Sequence, residues 1–208
     1  MALIKPEDWT SFLSGRVPDH SIAYCYELWK ENPFHFVIAK SRSSKLGDFT
    51  YRRNRAVQKI TVNHDLNPYQ FLITYVHEVA HHRVYAKYGA SCMPHGVEWK
   101  NEFRRLMVPM LVREVFPLDI LVPLRRHLAN PKASAGADLF LMKELRKYDS
   151  ADNGDTGMLL SDLVLGQRFL FKNRLFEKLE SRRTRVLCEE VGTGRRFLIS
   201  GHASVEKQ

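Results

Sequence analysis

The stretch from Asn67 to Gly89 constrains the fold of this chain more than any other. Asn67 can cap the free N–H groups of a helix, and Pro68 is suited to the first helical position. Gly89 can adopt the left-handed conformation that ends a helix. The sequence therefore predicts one long helix with a broad apolar stripe, formed by Phe71, Leu72, Tyr75, Val76, Val79 and Ala80.

This helix contains the sequence H-E-V-A-H at residues 77–81. Because His77 and His81 are four residues apart, both imidazoles lie on one helix face and can reach a single tetrahedral ion. Glu78 can hydrogen-bond a water on that ion and accept its proton. An apolar helix has little reason to bury so many ionisable groups otherwise. We therefore expect a site for one Zn²⁺ ion, with Glu78 as the general base.

A catalytic zinc site needs a third protein ligand and one open position. His82 follows His81 directly and points about 100° away around the helix, so it is poorly placed to bind the same ion. His95 lies in a loop after Met93-Pro94, and Gly96 permits a tight turn that brings the loop back over the helix. We predict His95 as the third ligand, against the alternative that it is an ordinary surface histidine.

Short strand-like runs precede the long helix, and further helices follow it. Segments 34–39, 48–52 and 56–63 predict a small antiparallel sheet, with turns at Gly47-Asp48 and Arg53-Asn54. Helical periodicity is present in 21–30, 97–111 and 118–128. The predicted fold class is α+β.

The end of the chain differs in composition from the rest. We assign residues 1–130 to the main domain and residues 131–158 to a helix followed by an acidic, glycine-bearing linker. Residues 159–208 are expected to form a small basic β unit, with strands in 167–172, 184–189 and 196–200. A unit of this size needs support from the main domain to be stable.

Cysteine content and the N-terminus indicate the compartment. The chain has three cysteines, an odd number with no C-x-x-C spacing, which argues against a disulfide framework. It has no apolar run long enough for a membrane span and no secretory signal at its start. We expect a cytoplasmic protein with no membrane partner.

The formal net charge of +9 favours contact with a polyanion such as DNA. Basic residues cluster around the predicted strands and again in the tail. The candidate nucleic-acid contacts are Arg42, Lys45, Tyr51, Arg52, Arg53, Arg55, Arg182, Arg183 and Arg185. The first cluster fits equally well a solvated sheet edge that discourages strand pairing, or an edge that binds an extended peptide. The tail cluster fits equally well simple packing against the main domain.

Several of these segments together resemble the SprT-like zinc metalloprotease family, which includes bacterial SprT and eukaryotic Spartan proteases. They are R-S-S-K-L-G at 42–47, I-T-V-N at 60–63, L-N-P at 66–68, the helix motif at 77–81 and H-G-V-E-W-K at 95–100. The resemblance covers about residues 20–115. It implies a compact, zincin-like α+β protease domain with a three-histidine zinc site that includes His95.

The resemblance also implies a class of substrate, since Spartan-type members cleave proteins crosslinked to DNA. The tail departs from the family, because many members end in a zinc ribbon with paired cysteines and this tail contains only Cys188. We therefore expect a zinc metalloendopeptidase acting on protein or peptide substrates, including DNA-associated ones. The alternatives are a non-enzymatic nucleic-acid-binding module with a structural zinc, or hydrolysis of another amide or ester.

Overall fold

A computed structural model describes residues 6–42, 45–132, 138–149, 158–182, 185–201 and 203–208. The fold is mixed α+β, with helices and two separate sheets. The chain divides into two compact units: unit 1 comprises residues 1–135 and 143–149, and unit 2 comprises residues 136–142 and 150–208. Most of the predicted acidic linker, residues 150–157, lies outside the described residues, as do residues 133–137. Within the described ranges no helix is long and apolar enough to cross a membrane.

Six α-helices occur in the described residues. They are α1 (Pro6–Leu13), α2 (Ile22–Glu31), α3 (Pro68–Tyr88), α4 (Val97–Met107), α5 (Leu118–Ala129) and α6 (Leu139–Arg146). The helices predicted from periodicity are thus confirmed, with the difference that α4 ends at Met107 and a 3₁₀ turn follows it.

Helix α3 begins and ends at the residues that the sequence indicates. The Asn67 side chain accepts a hydrogen bond from the backbone N–H of Gln70, which caps the helix. The amide group of Asn67 also donates to the Leu145 carbonyl and to Asp149, so the helix start is fixed to the 143–149 segment of the same unit. Gly89 follows the helix with φ 64° and ψ −146°, a positive-φ conformation that favours glycine but differs from the left-handed cap that the sequence predicts.

The sheet of unit 1 has three strands, β1 (His35–Ala39), β2 (Gly47–Thr50) and β3 (Lys59–Asn63), in the order β1-β3-β2. Strand β2 is antiparallel to β3, but β1 is parallel to it, so the prediction of an antiparallel sheet is wrong for that pair. The connection from 40 to 58 reverses direction twice and is long enough for a parallel crossover. Gly47-Asp48, predicted as a turn, begins β2. The arrangement leaves β2 as an edge strand.

The core of unit 1 packs the sheet and α1 against one side of α3. Trp9 stacks on Phe36 with ring centroids 5.7 Å apart, and the Tyr75 hydroxyl donates to the Cys25 carbonyl. Ile60 of the central strand is fully buried. Because this packing fixes α3 along most of its length, side chains on its remaining face are held in defined positions at a cleft beside β2.

Unit 2 contains one six-stranded sheet in the order β4-β9-β5-β6-β7-β8, antiparallel throughout. Its strands are β4 (Met158–Leu159), β5 (Arg168–Phe171), β6 (Arg174–Ser181), β7 (Arg185–Glu190), β8 (Arg196–Ser200) and β9 (Ser204–Lys207). Strands β4, β6 and β9 were not predicted. The core includes Leu160, Phe169, Phe176, Val186 and Cys188, all buried.

Candidate metal centre

Three imidazole nitrogens converge in unit 1. The Nε2 atoms of His77 and His81 are 3.2 Å apart, those of His81 and His95 are 2.9 Å apart, and those of His95 and His77 are 3.2 Å apart. In the described part of the chain these residues form the one cluster able to hold a metal ion. Three nitrogens bound to a tetrahedral zinc at about 2.05 Å would be separated by roughly 3.3 Å, so the triangle fits such an ion. The predicted convergence of these histidines is confirmed.

Burial favours the neutral form of all three rings. Burial, followed by the neighbouring His81 ring, lowers the pKa of His77 well below its ordinary value. Burial also lowers the pKa of His81 to about 4 and lowers the pKa of His95. A neutral imidazole carries one N–H and one lone pair, so three mutually close nitrogens cannot all satisfy one another by hydrogen bonds. A shared cation satisfies all three lone pairs at once.

His95 is delivered to the cluster by a tight turn. The Gly96 N–H donates to the Met93 carbonyl at 2.8 Å, Pro94 occupies the second position and His95 the third, with φ 60°. This is the pattern of a type II turn, whose third position normally requires glycine or asparagine. Helix α4 begins directly afterwards, so the turn sets the backbone position from which the imidazole reaches the cluster. His82 is buried elsewhere against Phe34 and Phe49, as its position on the helix predicts.

Glu78 lies in the same cleft and is 6% exposed. Its carboxylate accepts a hydrogen bond from the backbone N–H of Phe49 in β2. Burial and then the Asp48 carboxylate raise the pKa of Glu78 to about 8. A divalent cation at the histidines would favour the ionised form and oppose this shift.

Gly47 was not recognised from the sequence as part of the site. A β-carbon at this position would lie 2.7 Å from Glu78 Oε1 and 2.7 Å from Thr74 Cγ2. Only a residue without a side chain therefore allows β2 to approach the carboxylate this closely. A glycine beginning a strand is a weak signal on its own, because its neighbour on α3 is distant in sequence.

The cleft itself has a volume of about 410 Å³. It is bounded on one side by β2 and on the other by α3, and Pro94 closes one end beside His95. The Leu46 carbonyl accepts the Asn63 N–H, so by the alternation of an antiparallel pair the backbone groups of Gly47 and Phe49 face away from β3. The free edge of β2 thus runs along the cleft.

The candidate nucleic-acid residues fall into two groups. Several have partners within the protein: Arg42 donates to Asn63 and Thr61, Lys45 pairs with Asp48, and Arg182 pairs with Glu180. Five others are exposed: Tyr51, Arg52, Arg53, Arg55 and Arg185. Arg183 lies outside the described residues. Since Arg182 and Arg185 belong to unit 2, the two basic segments are separate features.

Comparison of the chain with protein-family models, with curated proteins and with solved structures gave no match. The function has therefore to be inferred from the chemistry of the residues themselves.

Proposed function

We propose that this chain is a zinc-dependent endopeptidase of the SprT-like type, with a zincin-like active site and Glu78 as its catalytic base. The observation that carries the proposal is the convergence of three imidazole nitrogens in a cleft that also holds Glu78. An edge strand lies along the same cleft, so ligands, base and a peptide-binding backbone occur together.

The donor set favours zinc among the common divalent ions. Magnesium and calcium take oxygen ligands, whereas imidazole nitrogens suit zinc in a tetrahedral geometry. A structural zinc site is usually closed by four protein ligands, and a catalytic one has three. When bound, zinc acidifies a water ligand to a pKa of about 7 and polarises a substrate carbonyl.

Glu78 is suited to move the proton that this chemistry releases. Its carboxylate accepts a hydrogen bond from the Phe49 N–H and lies so close to the backbone of Gly47 that a β-carbon there would clash with it. These contacts leave the carboxylate little freedom to turn away. The carboxylate accepts a proton from the attacking water and then delivers it to the nitrogen of the departing amine.

The edge of β2 supports a peptide as the substrate. Backbone groups that face away from β3, other than the Phe49 N–H, which donates to Glu78, can pair with an extended chain by strand addition, which would lay its carbonyls across the cleft. Such pairing uses main-chain atoms, so it accepts many sequences and requires the substrate segment to be unfolded.

Replacing Glu78 tests the proposal. E78Q should retain stoichiometric zinc and lose cleavage of an unfolded protein such as casein by about 10²- to 10⁴-fold, because the amide cannot accept a proton. The matched control is E27Q, since Glu27 is exposed on α2 and distant in sequence from the site. Zinc-loaded E78Q that cleaves casein at the wild-type rate would remove Glu78 from its assigned role.

The non-enzymatic alternative makes a different prediction about the metal. If the zinc were structural, its fourth position would be filled by the protein, and cobalt-substituted protein would show no exchangeable water ligand. A cobalt spectrum that responds to azide or to a peptide hydroxamate favours the enzyme, because those ligands need an open position.

DNA-associated substrates are supported by a specific surface, the arginine loop (residues 51–58). The Arg55 N–H donates to the Arg52 carbonyl, and the Gln58 amide bonds the backbone of both residues. Arg52, Arg53 and Arg55 are exposed, and none has an acidic partner within ion-pair distance in the described part of the chain. Tyr51 packs on Tyr85 with ring centroids 4.1 Å apart and keeps 43% of its surface exposed. Exposed arginines on a hydrogen-bonded loop beside an aromatic face suit single-stranded DNA.

The salt dependence of DNA binding tests this surface. Replacing the three arginines of the loop by alanine should lower the slope of log K against log salt by about 2, since each contact with single-stranded DNA contributes about 0.7. A matched triple variant at Arg182, Arg183 and Arg185 removes the same charge from unit 2. If only the second variant changes the slope, DNA binds unit 2; wild-type binding that ignores salt would exclude both surfaces.

A further inference from the structure

Trp99 is the one described residue whose ring lies near the rings of all three histidines of the metal cluster. The indole centroid is 4.6 Å from the His77 ring, 5.2 Å from the His81 ring and 4.7 Å from the His95 ring. It stacks on His81 with an interplanar angle of 27° and meets His95 edge-on at 80°. These contacts place the indole against all three imidazoles, with the His81 ring stacked on its face and the other two rings inclined to it.

The three ligands come from two different parts of the chain. His77 and His81 are fixed to each other by α3, but His95 belongs to the turn before α4 and needs a separate connection to them. Trp99 supplies that connection, because it sits in the first turn of α4, four residues after His95, and its indole N–H points to the His77 carbonyl at 3.4 Å. The rigid indole of Trp99 therefore links the position of His95 to the packing of α4 on α3.

The packing beneath Trp99 holds the indole in place. The side chain is 1% exposed and stacks on Phe103 with centroids 5.0 Å apart and an interplanar angle of 14°. Phe103 also approaches the His77 ring at 5.7 Å. With neighbours on both faces the indole cannot rotate without disturbing either the core or the imidazoles.

A buried tryptophan is commonly only a core residue, and the chain contains a suitable comparison. Trp29 is also 1% exposed, and its indole N–H also donates to a backbone carbonyl, that of Phe34 at 2.9 Å. Its ring neighbours, however, are Trp9 and Tyr26 rather than any histidine of the cluster. The two tryptophans thus match in burial and hydrogen bonding and differ in contact with the metal cluster.

We infer that Trp99 is a positioning residue for the metal centre, which holds the imidazole of His95 in register with those of His77 and His81. The inference rests on the proposed metal binding and goes beyond it, since it assigns the preorganisation of the site to a residue that is not a ligand. Groups behind metal ligands commonly contribute about 10- to 100-fold to metal affinity.

The test compares Trp99 variants with the Trp29 control by cobalt titration of the full chain. W99F keeps a smaller aromatic ring beside the imidazoles and should weaken cobalt binding about tenfold. W99L removes the aromatic ring and should weaken cobalt binding about a hundredfold. Both should also alter the visible cobalt spectrum, because the ligand geometry relaxes. W29F should lower the thermal midpoint of the apo protein about as much as W99F does, with cobalt affinity and spectrum unchanged.

The outcomes separate this inference from the proposed function. If the wild-type protein binds no cobalt, the metal site itself is wrong. If the wild type binds cobalt and folded W99F binds it with unchanged affinity and spectrum, the positioning role is wrong and the metal site stands. W99F is the deciding variant. If its apo form unfolds where W29F stays folded, the inference is also wrong, because the main role of Trp99 would then be to stabilise the core.

Discussion

Gly47 lies directly over the carboxylate of Glu78, and the space between them is too small for a methyl group. G47A would place a β-carbon against both Glu78 and Thr74, and Thr74 is buried in a helix that cannot move easily. We expect the Glu78 carboxylate to be displaced, and a shift of about 1 Å at a catalytic group can lower kcat/KM about a hundredfold. Metal affinity should change little, because the atoms nearest to the added β-carbon belong to Glu78 and Thr74 and not to a histidine.

The measurement is peptide cleavage by G47A alongside metal titration. G192A serves as the control, since a β-carbon at Gly192 meets no atom within 4 Å. Wild-type activity in G47A would show that β2 shifts to accommodate the β-carbon and that the Glu78 carboxylate stays in place.

His95 combines two requirements that conflict. Its imidazole is needed at the cluster, but its backbone has φ 60°, a conformation that costs a residue with a side chain about 1 kcal/mol. H95G and H95A should both lose metal binding, yet the apo form of H95G should be more stable than that of H95A by about 1 kcal/mol. Urea unfolding of the two metal-free variants measures the difference.

H64A, which removes an exposed histidine outside the cluster, should bind metal normally. Equal stability of H95G and H95A would mean that the turn is not strained.

At the scale of elements, those that form from signals within one segment could be predicted, whereas pairings between distant segments could not. Helix α3 and its ligand spacing follow from a cap, a proline, an apolar stripe and a final glycine, all within one segment. The parallel pairing of β1 with β3 could not be predicted, because strand direction depends on the path of the long segment between them. Gly47 and Trp99 belong to segments on which the family resemblance rests, but their roles arise through contacts with α3 and are not predicted by periodicity or composition.

Strand β6 was missed for a different reason. Its sequence R-L-F-E-K-L-E-S is rich in leucine, glutamate and lysine, which favour helices. The strand forms because Phe176 and Lys178 both face the core of unit 2 and because it pairs with β5 and β7 on its two sides. Tertiary pairing here overrides local propensity.

Lys178 makes this strand a sensitive point of unit 2. Its side chain is 2% exposed, and the ammonium donates to the carbonyls of Leu160, Ser161 and Leu163 at 3.1, 3.0 and 2.6 Å. K178M should destabilise unit 2 by roughly 2–4 kcal/mol, because three carbonyls lose their donor in a buried place. Hydrogen exchange of the β5–β9 amides measures the change, and K207M on the exposed end of β9 is the control. Unchanged protection in K178M would mean that water replaces the ammonium without cost.

At the scale of the whole molecule, the aromatic residues allow the unit that contains the candidate metal centre to be observed by itself. All three tryptophans and all eight tyrosines precede residue 149 and fall in unit 1, and residues 150–208 contain neither type. Intrinsic fluorescence therefore reports unit 1, whereas the amide signal of circular dichroism includes both sheets.

Metal should stabilise unit 1 through linkage, because the three ligands converge only in the folded state. Zinc at 100 times its dissociation constant adds about 2.7 kcal/mol, which raises the fluorescence-detected thermal midpoint by about 5–10 °C. A chelator should reverse the shift. E78Q should show the full shift, because Glu78 is not a ligand, and H95A should show none at low metal concentration. A shift that persists in H95A would place the metal elsewhere, whereas loss of the shift in E78Q would make the carboxylate a ligand and remove it as the free base that peptide hydrolysis requires.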